Sequence, residues 1–324
     1  MIGLLEHFYL KINLFKTMYR LSFIAFVICL SSLKTFGDIT IQNDVPYLES
    51  TRAEKLNLYL PDPAKYTGKL PAVVWIHGGG WQTGTKNEAR ATNVCTTLAN
   101  AGYVAISVEY KLGANSWPTN LFDCKNAVRF LRVNSEKYHI DSSRIAVMGG
   151  SAGGHLALMV GLTSGIAHLE PQSPYPGVSD SVLAIGDFYG ISNIFTRQKP
   201  GPAGEVTGVL TDDKEYKKVF GAGRNENDAL WREVSPVFHV TKNSPPVIIF
   251  QGLADATVNH GQSEELDAVL TKNNVPHKLV LIPGIGHTFD LTSWNKKPLP
   301  YDLRPILLEF LATHVGVAQR VASN

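Results

Sequence analysis

The stretch from Arg144 to Gly161, RIAVMGGSAGGHLALMVG, constrains the fold more than any other part of the chain. It begins with a short apolar run, which predicts a buried strand, and it ends in an apolar pattern at helical spacing. Between the two, Ser151 stands among four glycines at positions 149, 150, 153 and 154. Glycine loses more conformational freedom on folding than any other residue. A glycine cluster here therefore predicts a tight strand-to-helix turn that presents the serine.

The same alternation of apolar strands and helical segments continues along most of the chain. Buried strands are predicted at 70–78, 103–110, 144–150, 181–190, 245–252 and 277–284, and helices at 87–100, 120–138, 261–273 and 301–314. Such alternation predicts an α/β fold, a mostly parallel sheet with helices on both faces. Residues 39–60 fit an antiparallel edge. Residues 191–240, rich in Gly, Pro and charge, predict a small insertion over the sheet, as a partial lid rather than a second domain.

Composition limits the class of protein. The chain has 324 residues, of which 44% are hydrophobic, and this is enough to build one large α/β domain over residues 38–324. The formal net charge is only +2, and no Lys/Arg-rich block stands out. Binding to nucleic acid is therefore not expected. The sequence does not predict an oligomeric state.

The first 37 residues are interpreted as an N-terminal extension with a targeting segment. Arg20 precedes an apolar stretch at 21–30 and then small and polar residues, which is the layout of a secretory signal peptide. This predicts a secreted or periplasmic protein whose mature form does not insert stably into a membrane. An N-terminal membrane anchor or a buried helix is the alternative, although the apolar run is short for a span. Residues 1–17 fit no signal layout, so Met18 is an alternative start to Met1.

Export would permit disulfide bonds. Cys95 and Cys124 are the two cysteines beyond the signal segment. Two cysteines in a chain of this size do not make a disulfide scaffold. They either pair with each other or remain two separate buried thiols, and the sequence leaves both open.

The chemistry begins at Ser151, because Gly149 to Gly153 matches the G-x-S-x-G pattern of a nucleophile elbow. A serine needs a histidine to take its proton and an acid to orient that histidine. In chain order the acid should precede the histidine. Asp255 follows one predicted strand and His287 follows the next, where α/β sheets build their sites. We therefore predict Ser151 as nucleophile, Asp255 as acid and His287 as base.

Asp255 and His287 each have an alternative interpretation. Asp255 would otherwise be a helix N-cap or turn aspartate, and His287 a surface-loop histidine. Asp187 is the second candidate for the acid, but it comes one strand too early and is expected to line the pocket. His155 lies inside the helix after the elbow, too close to Ser151 to act as base.

The segment HGGGW at 77–81 predicts the oxyanion hole, because its glycines leave bare backbone amides free to point at a negative oxygen. The expected donors are the N–H groups of Gly79 and Gly80, together with that of Ala152. The alternative is a Gly-rich turn without a catalytic role. Trp81, Asp187 and Tyr189 are the expected substrate contacts, and Trp117 and Trp231 are further aromatic candidates.

These pieces together resemble the esterase/lipase group of α/β-hydrolases. The residues that carry the likeness are VVWIHGGGW, VEYKL, IDSSRIAVMGGSAGGHLA, QGLADATV and GIGHTF. The chain is most similar to the BD-FAE-like carbohydrate esterases, a group that includes acetylxylan and feruloyl esterases. The resemblance spans roughly 45–315 and implies a sheet of about eight strands, with Ser151, Asp255 and His287 as the catalytic residues of domain 38–324.

The departures from this pattern bear on the substrate. Hormone-sensitive-lipase-like relatives have an aspartate where this chain has Gly150, and they have a helical cap for which residues 38–69 are too short. Without such a cap, the active site is expected to be open. An open site favours short acyl or feruloyl esters on plant polysaccharides. A generic carboxylesterase, an arylformamidase-like or prolyl-oligopeptidase-like amide hydrolase, and a non-catalytic binding protein on the same scaffold are the alternatives. The sequence implies no metal and no organic cofactor.

Overall fold

The computed structural model describes residues 34–36, 39–197 and 213–322. The strands are β1 Lys34–Phe36, β2 Ile39–Pro46, β3 Lys55–Leu60, β4 Tyr66–Thr67, β5 Leu70–Ile76, β6 Val104–Val108, β7 Ile140–Gly150, β8 Ala184–Phe188, β9 Val247–Gly252, β10 His277–Ile282, β11 Ser293–Trp294, β12 Lys297–Pro298 and β13 Gln319–Arg320. The α-helices are α1 Ala89–Asn100, α2 Thr119–Val133, α3 Ala152–Leu162, α4 Lys214–Phe220, α5 Asp228–Glu233, α6 Gly261–Lys272 and α7 Arg304–His314. Two short 3₁₀ helices span Ala167–Leu169 and Pro236–His239.

In this part of the chain the main sheet has nine strands, in the order β1-β2-β3-β6-β5-β7-β8-β9-β10. The strands from β6 to β10 in this order run parallel to their neighbours, whereas β1, β2 and β3 pair antiparallel. The predicted α/β-hydrolase architecture, a mostly parallel sheet flanked by helices with an antiparallel edge, is confirmed. The ninth strand is the short β1 at 34–36, inside the range assigned to the N-terminal extension.

The helices cover both faces because alternate residues of each central strand point to opposite sides. Along β5, Val73 and Trp75 join a core with α1 and α7, whereas Val74 and Ile76 join a second core with α2, α3 and α6. Every residue of β5 is buried. Fully burying such aliphatic side chains contributes roughly 1.5–3 kcal/mol each, so the sheet is a rigid base for the loops at its carboxyl edge.

The same two-sided packing separates the cysteines. Cys95 lies on α1 in one core and Cys124 on α2 in the other, and both thiols are free and buried. The sequence left open a disulfide or two separate buried thiols, and the structure has the two separate thiols. Burial raises the pKa of both thiols, which disfavours the reactive thiolate.

Two sequence predictions fall wholly or partly outside the described residues. The signal peptide belongs to the first 37 residues, of which only 34–36 are described. The insertion predicted at 191–240 is described at both ends but not over 198–212, and its described part contains α4 and α5. None of the helices in the described ranges has the length and apolar character needed to cross a membrane.

Candidate active site

The turn predicted from the glycine cluster holds Ser151 in a strained conformation. Strand β7 ends at Gly150 and helix α3 begins at Ala152, which leaves Ser151 between them with φ 58° and ψ −122°. A positive φ is uncommon for a non-glycine residue and persists only where the surroundings enforce it. The Ser151 N–H donates to the Phe188 carbonyl over 2.8 Å, and the Ser151 carbonyl accepts from the His155 N–H over 3.0 Å. The strained serine is thus fixed from both sides.

Close backbone contacts explain the glycines on either side of the serine. A Cβ atom on Gly153 would lie 2.1 Å from the Ile76 carbonyl oxygen, and one on Gly149 would lie 2.2 Å from the Gly153 carbonyl oxygen. Real Cβ atoms do not approach this closely, so helix α3 can pack against β5 and β7 only if both positions lack side chains.

The structure brings together the three side chains that the sequence predicted as nucleophile, base and acid. His287 Nε2 lies 2.9 Å from Ser151 Oγ, and His287 Nδ1 lies 2.7 Å from Asp255 Oδ2. With Nδ1 protonated, the imidazole donates to Asp255 and accepts from the serine hydroxyl. Asp255 is fully buried, whereas Ser151 and His287 line a cavity of about 340 Å³. Solvent and substrate therefore reach the serine–histidine end of this chain of hydrogen bonds.

Asp255 is held by hydrogen bonds from its own loop. Its Oδ1 accepts from the N–H groups of Thr257 over 2.8 Å and Val258 over 2.9 Å. Its Oδ2, which faces His287, also accepts from Gln251 Nε2 over 3.3 Å. These donors complement the carboxylate charge and fix which oxygen faces the imidazole.

Two residues that support this arrangement were missed by the sequence analysis. Gln251, at the end of β9, braces Asp255, and its own Oε1 accepts from the Ser263 hydroxyl over 3.0 Å. Trp294 donates from Nε1 to the His287 carbonyl over 2.9 Å and packs against Gly286. A polar residue in the otherwise apolar VIIFQG strand was the one available signal for Gln251; nothing local marked Trp294.

The HGGGW turn borders the same cavity. Gly79 and Gly80 line it and have φ values of 112° and 59°, so both occupy the region that favours glycine. A Cβ atom on Gly79 would lie only 2.1 Å from the Thr83 carbonyl oxygen. Ala152, the third predicted donor, is the first residue of α3, whose N-terminal end favours negative charge.

Within the described ranges, no group of three or more His, Cys, Asp or Glu residues is arranged to hold a metal ion.

Two of the three predicted substrate contacts, Trp81 and Asp187, lie buried outside the described cavity lining. The Trp81 side chain is 3% exposed and packs edge-on against His155, Tyr216 and Phe220, so it points away from the cavity. Asp187 is fully buried between the backbones of Gly154 and Gly190, and burial raises its pKa to about 7. Neither residue is part of the cavity lining.

The third predicted contact, Tyr189, does line the cavity. Its ring lies edge-on to the His287 ring at 4.8 Å, and its hydroxyl donates to the Phe289 carbonyl over 2.8 Å. It therefore offers the cavity an aromatic surface rather than a free hydroxyl. Trp117 and Trp231 are both buried elsewhere and do not contribute to the described lining.

His155 is buried and hydrogen-bonds through both ring nitrogens. Its Nδ1 accepts from Trp81 Nε1 over 3.2 Å, and its Nε2 donates to the Val234 carbonyl over 2.7 Å. Only the neutral imidazole can accept and donate in this way. Complete burial lowers the His155 pKa to about 4, against an ordinary value near 6.5 in the unfolded chain.

This predicts that His155 makes the protein less stable in acid. The contribution of neutral His155 to the free energy of unfolding is complete above pH 6.5 and is lost as the pH falls towards 4. Over this range His155 binds a proton in the unfolded chain but not in the folded protein. Between pH 7.5 and 5.0 we expect the free energy of unfolding to fall by roughly 2 kcal/mol from this residue. Urea unfolding at both pH values measures the loss. An unchanged pH dependence in the His155→Asn variant would contradict this assignment.

The fold and the strained serine between a strand and a helix define the class: this is an α/β-hydrolase. Comparison with known proteins then gives the family. The family model BD-FAE matches residues 56–270, and the chain belongs to this family. The resemblance stated from the sequence motifs is confirmed.

Curated relatives match over most of this chain. It is similar to the probable carboxylic ester hydrolase LipM of Mycobacterium tuberculosis, with 28% identity over 264 residues that cover 81% of this chain and 59% of LipM. It is also similar to the esterase LipC of the same organism, with 30% identity over 249 residues, 72% of this chain and 59% of LipC. The chain therefore spans about three fifths of the length of these relatives.

Solved structures share the fold. A truncated carbohydrate esterase from gut microbiota matches with a TM-score of 0.70 at 22% identity, covering 89% of this chain and 98% of that one. The propionate-bound esterase Est2 of Thermogutta terrifontis matches with a TM-score of 0.64 at 25% identity, covering 90% of this chain and 97% of that one.

Proposed function

We propose that this chain is an exported serine esterase that hydrolyses short acyl or feruloyl esters on plant polysaccharides. The observation that carries the proposal is the hydrogen-bonded series from Ser151 through His287 to the buried Asp255, at 2.9 Å and 2.7 Å, beside the HGGGW turn. The esterase names of LipM and LipC, and membership of the BD-FAE family, support the reaction class.

In the proposed reaction, Ser151 Oγ attacks the ester carbonyl while His287 Nε2 takes its proton. Asp255 holds the imidazole in the required tautomer and stabilises the imidazolium that forms. The tetrahedral intermediate collapses when His287 returns the proton to the leaving alcohol, and the acyl group stays on Ser151. Water, deprotonated by His287, then attacks the acyl-enzyme and releases the acid. Backbone N–H groups of Gly79, Gly80 and Ala152 are the proposed donors to the oxyanion in both steps.

The polar wall of the cavity supports a carbohydrate-linked substrate. Glu88 and Arg90 line the cavity with Ser151, and Arg90 Nη2 lies 2.6 Å from Glu88 Oε2. Their side chains are 19% and 31% exposed, so they remain accessible. The pair is neutral overall but offers both donors and an acceptor, which matches hydroxyl groups better than a carboxylate or an acyl chain. Such hydroxyls lie on a sugar alcohol or on a feruloyl ring.

Replacing Arg90 with methionine is therefore expected to raise KM for an acetylated xylo-oligosaccharide roughly tenfold, because a hydrogen bond from a charged donor is lost. KM for p-nitrophenyl acetate, which has no hydroxyl to bind, should change less than about twofold. Methyl ferulate separates the two sources: a raised KM there places the recognised hydroxyl on the acyl group. Arg232→Met, at an exposed ion pair in α5, is the control. Equal effects on all esters would contradict a role in hydroxyl recognition.

The proposed function as a whole is tested by product release from purified protein. Acetate from acetylated xylan, ferulate from methyl ferulate, p-nitrophenol from acyl esters of two to twelve carbons, and p-nitroaniline from an amide are measured in parallel. Release of acetate or ferulate at rates well above those for long acyl chains is the expected result. Turnover of only the small synthetic esters would reduce the proposal to a generic carboxylesterase, and preferred amide cleavage would overturn it. N-terminal sequencing of protein from the culture medium or periplasm tests the export.

A further inference from the structure

Two residues from the motifs at the site have no place in the proposed reaction. Trp81 ends the HGGGW motif, and His155 follows the elbow in GGSAGGH. Neither contributes to the described cavity lining, yet their side chains meet beneath it, with Trp81 Nε1 3.2 Å from His155 Nδ1 and the ring centroids 5.1 Å apart. This contact joins the two sequence motifs that border the nucleophile.

The backbone of the HGGGW turn is held by its own hydrogen bonds and by contacts outside it. The Gly79 carbonyl accepts from the N–H groups of Gln82 over 3.1 Å and Thr83 over 3.0 Å. Gly79, Gly80 and Trp81 are three consecutive residues with positive φ, at 112°, 59° and 58°. For the tryptophan this conformation costs free energy and persists only if the surroundings enforce it. Its carbonyl accepts from the Gly113 N–H over 2.9 Å, and its side chain makes the bond to His155. This side-chain anchor therefore adds to the backbone hydrogen bonds that hold the strained conformation of Trp81.

His155 is well placed to be the other end of this anchor. It lies four residues after Ser151, so one turn of α3 carries both the nucleophile and the anchor. A bond from Trp81 to His155 therefore fixes the HGGGW turn relative to the helix that begins at the nucleophile.

The described part of the insertion encloses the contact. Tyr216 and Phe220 of α4 pack against the Trp81 ring at 5.9 Å and 5.2 Å, and the Val234 carbonyl after α5 accepts from His155 Nε2 over 2.7 Å. Both ring nitrogens of His155 are therefore used, and water is kept from the indole N–H. These contacts make α4 and α5 a support for the HGGGW turn.

We propose that Trp81 and His155 are positioning residues that hold the oxyanion donors at the correct distance from Ser151, and that α4 and α5 serve as their support. This inference rests on the proposed esterase function. It predicts a defect in the transition state rather than in substrate binding, because the oxyanion is present only in the transition state and intermediate.

The test is Trp81→Phe, which removes the indole N–H but keeps an aromatic ring against Tyr216 and Phe220. We expect kcat for p-nitrophenyl acetate to fall roughly 10–30-fold with KM changed less than about twofold. Tyr103→Phe is the matched control, because it also removes one buried donor and keeps an aromatic ring. The Tyr103 hydroxyl donates to the Gly316 carbonyl over 2.9 Å, and its ring lies in the core on the other face of the sheet from Trp81, α4 and α5. The kcat of this control should stay within about twofold of wild type, even if its unfolding midpoint falls as much as that of Trp81→Phe.

A second variant guards against a failure of Trp81→Phe to fold. His155→Asn provides an amide oxygen near the position of Nδ1 and is expected to retain more of kcat than His155→Leu, which has no acceptor. The double variant Trp81→Phe/His155→Leu should lose little more than the worse single variant, because both remove the same bond.

Several outcomes would overturn the inference: a Trp81→Phe kcat equal to that of Tyr103→Phe, a loss confined to KM, or full additivity in the double variant. Failure of the esterase proposal itself is distinguishable. In that case Ser151→Ala would retain the activity of wild type, whatever Trp81→Phe does.

Discussion

Replacing Ser151 with alanine is expected to lower kcat for p-nitrophenyl acetate by roughly 10⁶-fold, the loss seen when a triad nucleophile is removed. Ser151 Oγ is the one atom that both hydrogen-bonds His287 and lies at the apex of the strained turn. Without it no acyl-enzyme can form, and only a water attack assisted by the oxyanion donors remains. The folded structure should survive, because the hydroxyl makes no other hydrogen bond that supports the fold among the described residues.

Steady-state kinetics and urea unfolding measure the two quantities. Ser107→Ala is the matched control, since Ser107 is also buried and its hydroxyl donates to the Lys86 carbonyl over 2.9 Å, and neither residue is part of the described cavity lining. The control should keep its kcat. Residual Ser151→Ala turnover within about a hundredfold of wild type would show that another group performs the attack.

Replacing Asp255 with asparagine is expected to lower kcat roughly 10⁴-fold with little change in KM. The backbone N–H groups of Thr257 and Val258 both point at Oδ1, so an asparagine keeps its oxygen there and turns its NH₂ group towards His287. Nδ1 must then accept rather than donate, which places the proton on Nε2. An imidazole in that tautomer cannot take the proton of Ser151.

Asp187→Asn is the informative control, because Asp187 was the second candidate for the acid and is equally buried. Its carboxyl lies among the backbones of Gly154 and Gly190, and no histidine of the described residues hydrogen-bonds it, so we expect kcat within a few-fold of wild type. A 10⁴-fold loss at Asp187 with a small loss at Asp255 would exchange their roles.

The residues at the strand ends were readable from sequence because chemistry and topology restrict them together. A serine in a Gly-rich elbow needs a base and an acid, and the parallel sheet supplies few positions where they can converge. Asp255 and His287 each follow a buried strand, and the structure places both in hydrogen-bonding contact on the Ser151 side of the sheet. The antiparallel edge predicted at 39–60 is also present, because β2 pairs antiparallel with β3.

Side-chain direction was not readable. Trp81 follows three glycines at the cavity, and nothing in the motif shows that the indole turns towards His155. Asp187 follows the expected strand-end pattern, but its carboxyl points below the elbow, where only the neighbouring glycines leave space. Trp294 lies only seven residues after His287, but the contact exists because the chain folds back, which local pattern does not record.

The most direct test of the account is to locate the nucleophile. The protein is incubated with a fluorophosphonate, residual esterase activity is followed, and the modified peptide is identified by mass spectrometry. If Ser151 is the nucleophile, one adduct forms, on Ser151; its formation parallels the loss of activity, and it is absent from Ser151→Ala. Full inactivation with the adduct on another residue, or undiminished activity after complete labelling of Ser151, would contradict it.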